Sequence, residues 1–143
     1  MTDALIGGPS LPQERRLVTE IPGPESQARL AAKQQYVADG VATGLPVFIV
    51  AGGGGVLVDA DGNSFIDMGS GIAVTTVGNA AEEVSSRVIE QVQRFTHTCF
   101  MVTPYDGYVE VAKQLAELTP GDHAKKSALF NSGAEAVENA VKI

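Results

Sequence analysis

From Asn79 onward the apolar residues recur at helical spacing. Val84, Val88, Val92 and Phe95 fall on one stripe, and Asn79 with Glu82 three residues later predicts a capping box at its start. A second helix is predicted over about Tyr105 to Leu118, with Tyr108, Val111, Ala112, Leu115 and Leu118 on one face and Pro120-Gly121-Asp122 as its stop. Lys126 to Asn131 then reads as a short strand, and Ser132 to Ile143 as a third helix.

Upstream the pattern is different. Residues 1 to about 24 are rich in Pro and Gly and predict an extended arm, of the kind that stays mobile unless something docks it. Ala28, Ala31, Ala32 and Gln35-Tyr36 predict a helix from Glu25 towards Val41, ended by Gly40 or Gly44. Three short strands follow as an antiparallel meander: Leu45–Val50, Val56–Asp59 and Ser64–Met68, with Asp61-Gly62-Asn63 as a tight turn. The last helix has no stop signal, and its stripe of Ala134, Val137 and Val141 lacks a partner, so the chain reads as interrupted.

Composition narrows the function classes. Hydrophobic residues make up 44% and charged residues 19%, a globular balance. The formal charge of -7, with basic residues scattered, argues against nucleic acid or an anionic membrane surface as partner. A single cysteine, Cys99, precludes an internal disulfide and suits a reducing compartment. No apolar run suits a signal peptide or a membrane span, which points to the cytoplasm.

The candidate chemistry lies in Phe130 to Asn139, where a strand passes through one small turn into a helix. First-turn amides lack intrahelical partners and carry the positive end of the helix dipole, a ready site for phosphate. Gly133 has no side chain to block approach, Ser132 brings a hydroxyl, and Ala134 is small. The same residues also fit a capping box, Ser132 with Glu135, which would satisfy those amides internally and is the commoner use. Other candidates are weaker. Gly52 to Gly55 lacks a following helix and reads as a hairpin turn. His97 and Cys99 have too few companion ligands for a metal and read as core packing. Asp59, Asp61 and Asp67 lack calcium-loop spacing and read as turn and edge residues.

The wording of Asn131 to Lys142, NSGAEAVENAVK, closely resembles the cofactor-phosphate segment of class III aminotransferases, nearest to those that act on 4-aminobutyrate. Leu17 to Pro24, the hairpin ending Phe65-Ile66-Asp67, Gly69 to Val74 and Thr96 to Phe100 resemble the same family in order. Relatives commonly carry a His-Pro pair where this chain has Asn79-Ala80-Ala81-Glu82, which bears on local loop shape.

That resemblance implies an α/β chain of the aspartate-aminotransferase-like fold type I, with residues 1–78 as arm and small-domain segment and 79–143 as the start of the large domain. It implies pyridoxal 5'-phosphate held at Ser132, Gly133 and Ala134, and Ile72 at the border of the substrate. The implied reaction moves the amino group of 4-aminobutyrate to 2-oxoglutarate, giving succinate semialdehyde and glutamate, through a Schiff base on a lysine. None of Lys33, Lys113, Lys125, Lys126 or Lys142 matches that lysine, so the 143 residues alone are expected to be inactive and these lysines solvated. The implied partners are a small-molecule amino donor, a 2-oxo acid and a second copy in a homodimer. Ornithine or acetylornithine as donor, a non-catalytic phosphate-binding module and a structural fragment are the alternatives.

Overall fold

A computed structural model describes residues 7–143. The first six residues of the expected arm lie outside the described part. Contacts divide the chain into two compact units, one ending at Arg94 and the other spanning Phe95–Ile143.

The first unit is built on a three-stranded antiparallel sheet in the order β1 (Ile49–Gly53), β2 (Val56–Asp59), β3 (Ser64–Ile66). The meander is the expected one, but its first strand starts later. Leu45 to Phe48 lie outside it, whereas Gly52 and Gly53, expected in the turn, pair with Leu57 and Val56. A bulge between Ile49 and Ala51 shifts the register, leaving Val50 without a partner on β2. Val56 and Val58 on β2 are the buried apolar residues among those described.

Glycine persists in β1 because of what lies against it. The arm runs back over the strand, with the Gly8 amide donating to the Gly52 carbonyl at 3.0 Å. A Cβ at Gly53 would collide with the Gly8 carbonyl oxygen. Gln13 adds a clamp, donating Nε2 to the Gly53 carbonyl and accepting the Gly55 amide on Oε1, both at 2.9 Å. Arg16 bridges to Ser64. The arm expected to stay mobile unless docked is tied, from Gly8 onward, to the chain's own hairpin.

Helix α1 (Pro24–Tyr36) ends four residues before Gly40, because Val37 already adopts extended backbone (φ -106°, ψ 134°). Its N-cap, Gly23, offers no side chain. Asp61, in the β2–β3 turn, supplies the cap from elsewhere in the chain: Oδ1 accepts the Glu25 amide at 2.8 Å and Oδ2 the Ser26 amide at 3.0 Å. Beneath it, Asp59 and Asn63 are buried and bonded to each other. Asn63 Oδ1 accepts the amides of Val18 and Thr19, so one turn fastens both the arm and α1.

After β3 comes a single turn, α2 (Ser70–Ala73), wound left-handed. Ser70, Gly71, Ile72 and Ala73 have φ of 49°, 60°, 62° and 59°. Each non-glycine residue in that region costs about 1–2 kcal/mol. The expected capping box at Asn79 does not form. Asn79 pairs its backbone with Gly54 in both directions, at 2.8 and 2.9 Å, and α3 (Glu82–Arg94) starts three residues later, with Ala81 accepting the Ser85 amide. With α3 starting at Glu82, Asn79 lies two residues before the N-cap position.

In the second unit, α4 (Asp106–Leu118) starts after Tyr105 and α5 (Gly133–Lys142) after Ser132, both close to expectation. Phe95 and Phe100 meet Tyr105 edge-on, and Phe100 stacks on Tyr108 at 4.1 Å. The expected strand Lys126–Asn131 is not formed. Its stretch is irregular, with the Leu129 amide donating to Tyr108 Oη at 2.8 Å. A strand needs a neighbour for its ladder, and no described segment of this unit pairs with it.

Candidate functional site

The start of α5 resolves how one helix end can serve two purposes. Ser132 is the N-cap in extended backbone (φ -145°, ψ 159°), and its Oγ accepts the Glu135 amide at 3.2 Å. Glu135 Oε2 accepts the amides of Ser132 at 3.1 Å and Asn131 at 2.9 Å. The capping box predicted from the sequence is therefore present. It uses the third helical amide and the two that precede the helix. The amides of Gly133 and Ala134 keep no partner among the described residues.

Those two amides point along the helix axis at its positive end, where an anion is favoured. Nothing stands within 4 Å of where a Cβ on Gly133 would be, so the approach is open. The Ser132 hydroxyl accepts one bond in the cap and still has its own hydrogen to give. Two amides and a hydroxyl suit the oxygens of a phosphate monoester, and the residues present fit such a group. Glu135 places a carboxylate at the same end, a charge that partly opposes an anion. Capping and anion binding are thus compatible here, since they draw on different donors.

Ser132, Gly133 and Ala134 come together on one helix start in the second unit. Ile72 lies in the first unit, on the left-handed turn, with 95% of its surface exposed. His97 and Cys99 are exposed, not packed in a core, because the Thr96–Phe100 segment is irregular and covers little. No group of three or more metal-ligating side chains occurs among the described residues. Lys113, Lys126 and Lys142 are exposed as expected. Lys33 and Lys125 are half-buried, and each gives its ammonium to backbone carbonyls: Val41 for the first, Gly121 and Ala116 for the second. No described helix is long and apolar enough to cross a membrane.

The titration of Asp61 is displaced. Burial raises its pKa, but hydrogen bonds from the Ser26 side chain and the Glu25 and Ser26 amides outweigh that and, with Arg29 nearby, hold the carboxyl below its usual value. Its role as a remote cap was hidden in the sequence. Asp-Gly-Asn announced a turn, while nothing in the spacing showed that a helix 36 residues earlier would begin against it.

Residues 36–143 match the aminotransferase class-III family. The chain is 63% identical over 134 residues to 4-aminobutyrate aminotransferase of Mycobacterium tuberculosis, covering 94% of this chain and 30% of that protein. It is 40% identical over 118 residues to a 5-aminovalerate aminotransferase of Pseudomonas aeruginosa, covering 82% of this chain and 28% of the relative. Its fold matches an ornithine aminotransferase of Toxoplasma gondii with a TM-score of 0.73 at 29% identity, over 82% of this chain and 26% of that one, and PLP partly occupies the active site of that protein. The chain thus spans about 30% of the length of its curated relatives. Its small antiparallel sheet and following helices are part of the α/β fold type I, and the chain belongs to the class III aminotransferases, whose cofactor is pyridoxal phosphate.

Proposed function

We propose that the whole enzyme transfers the amino group of 4-aminobutyrate to 2-oxoglutarate, giving succinate semialdehyde and glutamate. The 63% identity to a protein of that named activity supports the donor. The observation that carries the chain's own part is the pair of unbonded amides at Gly133 and Ala134, beside a hydroxyl with its hydrogen free. In this reading Ser132, Gly133 and Ala134 hold the cofactor phosphate, and Ile72 borders the amino donor. The bound cofactor supplies an electron sink for the donor carbon that loses a proton. This chain's residues fix where that sink sits. The lysine that carries it matches none of the five here, so the 143 residues alone should not turn over. A homodimer in the cytoplasm, with the large domain starting near residue 79, completes the proposal.

The 40% identity to a 5-aminovalerate aminotransferase favours a second donor, one methylene longer. Comparing kcat/KM of the whole enzyme for 4-aminobutyrate, 5-aminovalerate and ornithine, with 2-oxoglutarate as acceptor, decides between them. A preference for either of the others would remove 4-aminobutyrate as the physiological donor.

Gly133→Asp tests the cofactor site directly. There is open space for the Cβ of the new side chain, and an acid at the first helical position favours the dipole. Helix stability should hold or rise slightly. Pyridoxal-phosphate affinity should fall by about 2 kcal/mol through like-charge repulsion and loss of a charge-assisted hydrogen bond. The check is an absorbance titration of the apo-enzyme. Equal dissociation constants for wild type and variant would remove Gly133 from the site.

A further inference from the structure

The left-handed turn Ser70–Ala73 is backbone that its sequence does not favour. Three of its four residues carry side chains, and Ile72 is β-branched, among the poorest residues for positive φ. Within the described residues burial does not offset this: Ile72 is 95% exposed and Ser70, Gly71 and Ala73 are not buried. In this stretch of chain the turn is held by its own hydrogen bonds.

The holding groups can be named. Asp67 Oδ1 accepts the amides of Gly69 at 3.1 Å and Ser70 at 2.8 Å, at the entrance to the turn. Ser70 Oγ and Thr75 Oγ1 share a hydrogen bond of 2.6 Å, bracing the entrance against the exit. The Asp67 amide donates to the Gly55 carbonyl at 2.8 Å, which fastens the assembly to the hairpin. The backbone ladder Ala73 to Gly69 and Val74 to Ser70, at 3.1 and 2.7 Å, closes the turn. Within the described residues nothing else fixes the position of Ile72.

We infer that Asp67, assisted by the Ser70–Thr75 hydroxyl pair, is a positioning residue for donor selection. It locks the left-handed turn so that the apolar Ile72 side chain meets the methylene chain of an ω-amino acid at a fixed place, and so limits donor length. This rests on the reading that Ile72 borders the donor.

The test measures kcat and KM of the whole enzyme for 4-aminobutyrate and 5-aminovalerate, with cofactor affinity from a separate absorbance titration. Ile72→Ala examines the underlying reading and should change the ratio of kcat/KM between the donors. Asp67→Ala should change that ratio in the same direction by roughly fivefold, mainly through KM, with cofactor affinity unchanged. Asp67→Asn keeps an oxygen that can accept the same two amides and should restore the wild-type ratio. In the Ile72→Ala background, Asp67→Ala should add nothing. An unchanged ratio in Ile72→Ala sinks the donor reading, and the inference with it. A shift in Ile72→Ala with none in Asp67→Ala overturns the inference alone. So does failure of Asp67→Asn to restore the ratio, or an undiminished Asp67→Ala effect when Ile72 is already Ala. Should Asp67→Ala not fold, Thr75→Val decides: it removes only the brace to Ser70, and an unchanged ratio overturns the inference.

Discussion

Asn63 shows how much one buried amide can organise. Its side chain accepts the amides of Val18 and Thr19 and donates to Asp59 Oδ2 and Thr19 Oγ1. Asn63→Ala would leave two arm amides unpaired and the buried Asp59 short of a partner. The loss should be about 1–3 kcal/mol, the cost of the orphaned group that is buried, Asp59. Hydrogen exchange at Val18 and Thr19 in the whole enzyme is the measurement, and unchanged protection would contradict it. Asp61 gives a pH dependence of known sign. Its carboxyl is held below the ordinary value of about 3.9, so the ionised form stabilises the folded state. That contribution is complete above the unfolded value and fades as pH falls through the lower folded one. Protection of the Glu25 and Ser26 amides should therefore drop on acidification below about pH 4. Asp61→Asn should flatten that acid limb, and an identical limb in the variant would remove Asp61 as its cause.

Elements divide by whether their determinants are local. Helices α4 and α5 were readable because the apolar period is local to each, with a stop just after α4 and a cap just before α5, and the Ser132–Glu135 box formed as its spacing required. The strand expected at Lys126–Asn131 was not, since apolar residues state a preference while a ladder depends on a neighbour. The left-handed turn was illegible for a related reason. Ser-Gly-Ile-Ala contains one glycine where the backbone needs four residues at positive φ, and the groups that hold it lie before and after. At the candidate site, the sequence offered capping and phosphate binding as rivals, and only the assignment of individual amides shows them to be compatible. That assignment predicts opposite effects from the two halves of the box. Glu135→Gln keeps an oxygen for the Ser132 and Asn131 amides but removes a negative charge, so pyridoxal-phosphate affinity should hold or rise. Ser132→Ala removes both the cap acceptor and the free hydroxyl hydrogen. It should lower that affinity by about 1 kcal/mol and loosen the Glu135 amide by a similar amount. If both variants lower affinity equally, the division of donors between cap and cofactor is wrong.

At the scale of the molecule, helix faces patterned for burial lie open. Val84, Val88 and Val92 on α3 are each more than half exposed, as are Val137 and Val141 on α5, although the spacing that marks them as core positions is plain in the sequence. A groove of about 760 Å³ between α1 and Val41–Ile49, lined by Leu30, Val37, Leu45 and Phe48, is similarly open. Amphipathic faces of this kind gain their stability from an opposing surface, and the chain spans only about 30% of relatives in which such surfaces can exist. The 143-residue polypeptide made alone should therefore bind a hydrophobic dye, self-associate, and melt without a cooperative transition. Light scattering with dye fluorescence and a thermal scan checks all three. A monodisperse monomer with a sharp two-state transition would show that the two units fold independently of any further surface, and the exposed stripes would then need another explanation.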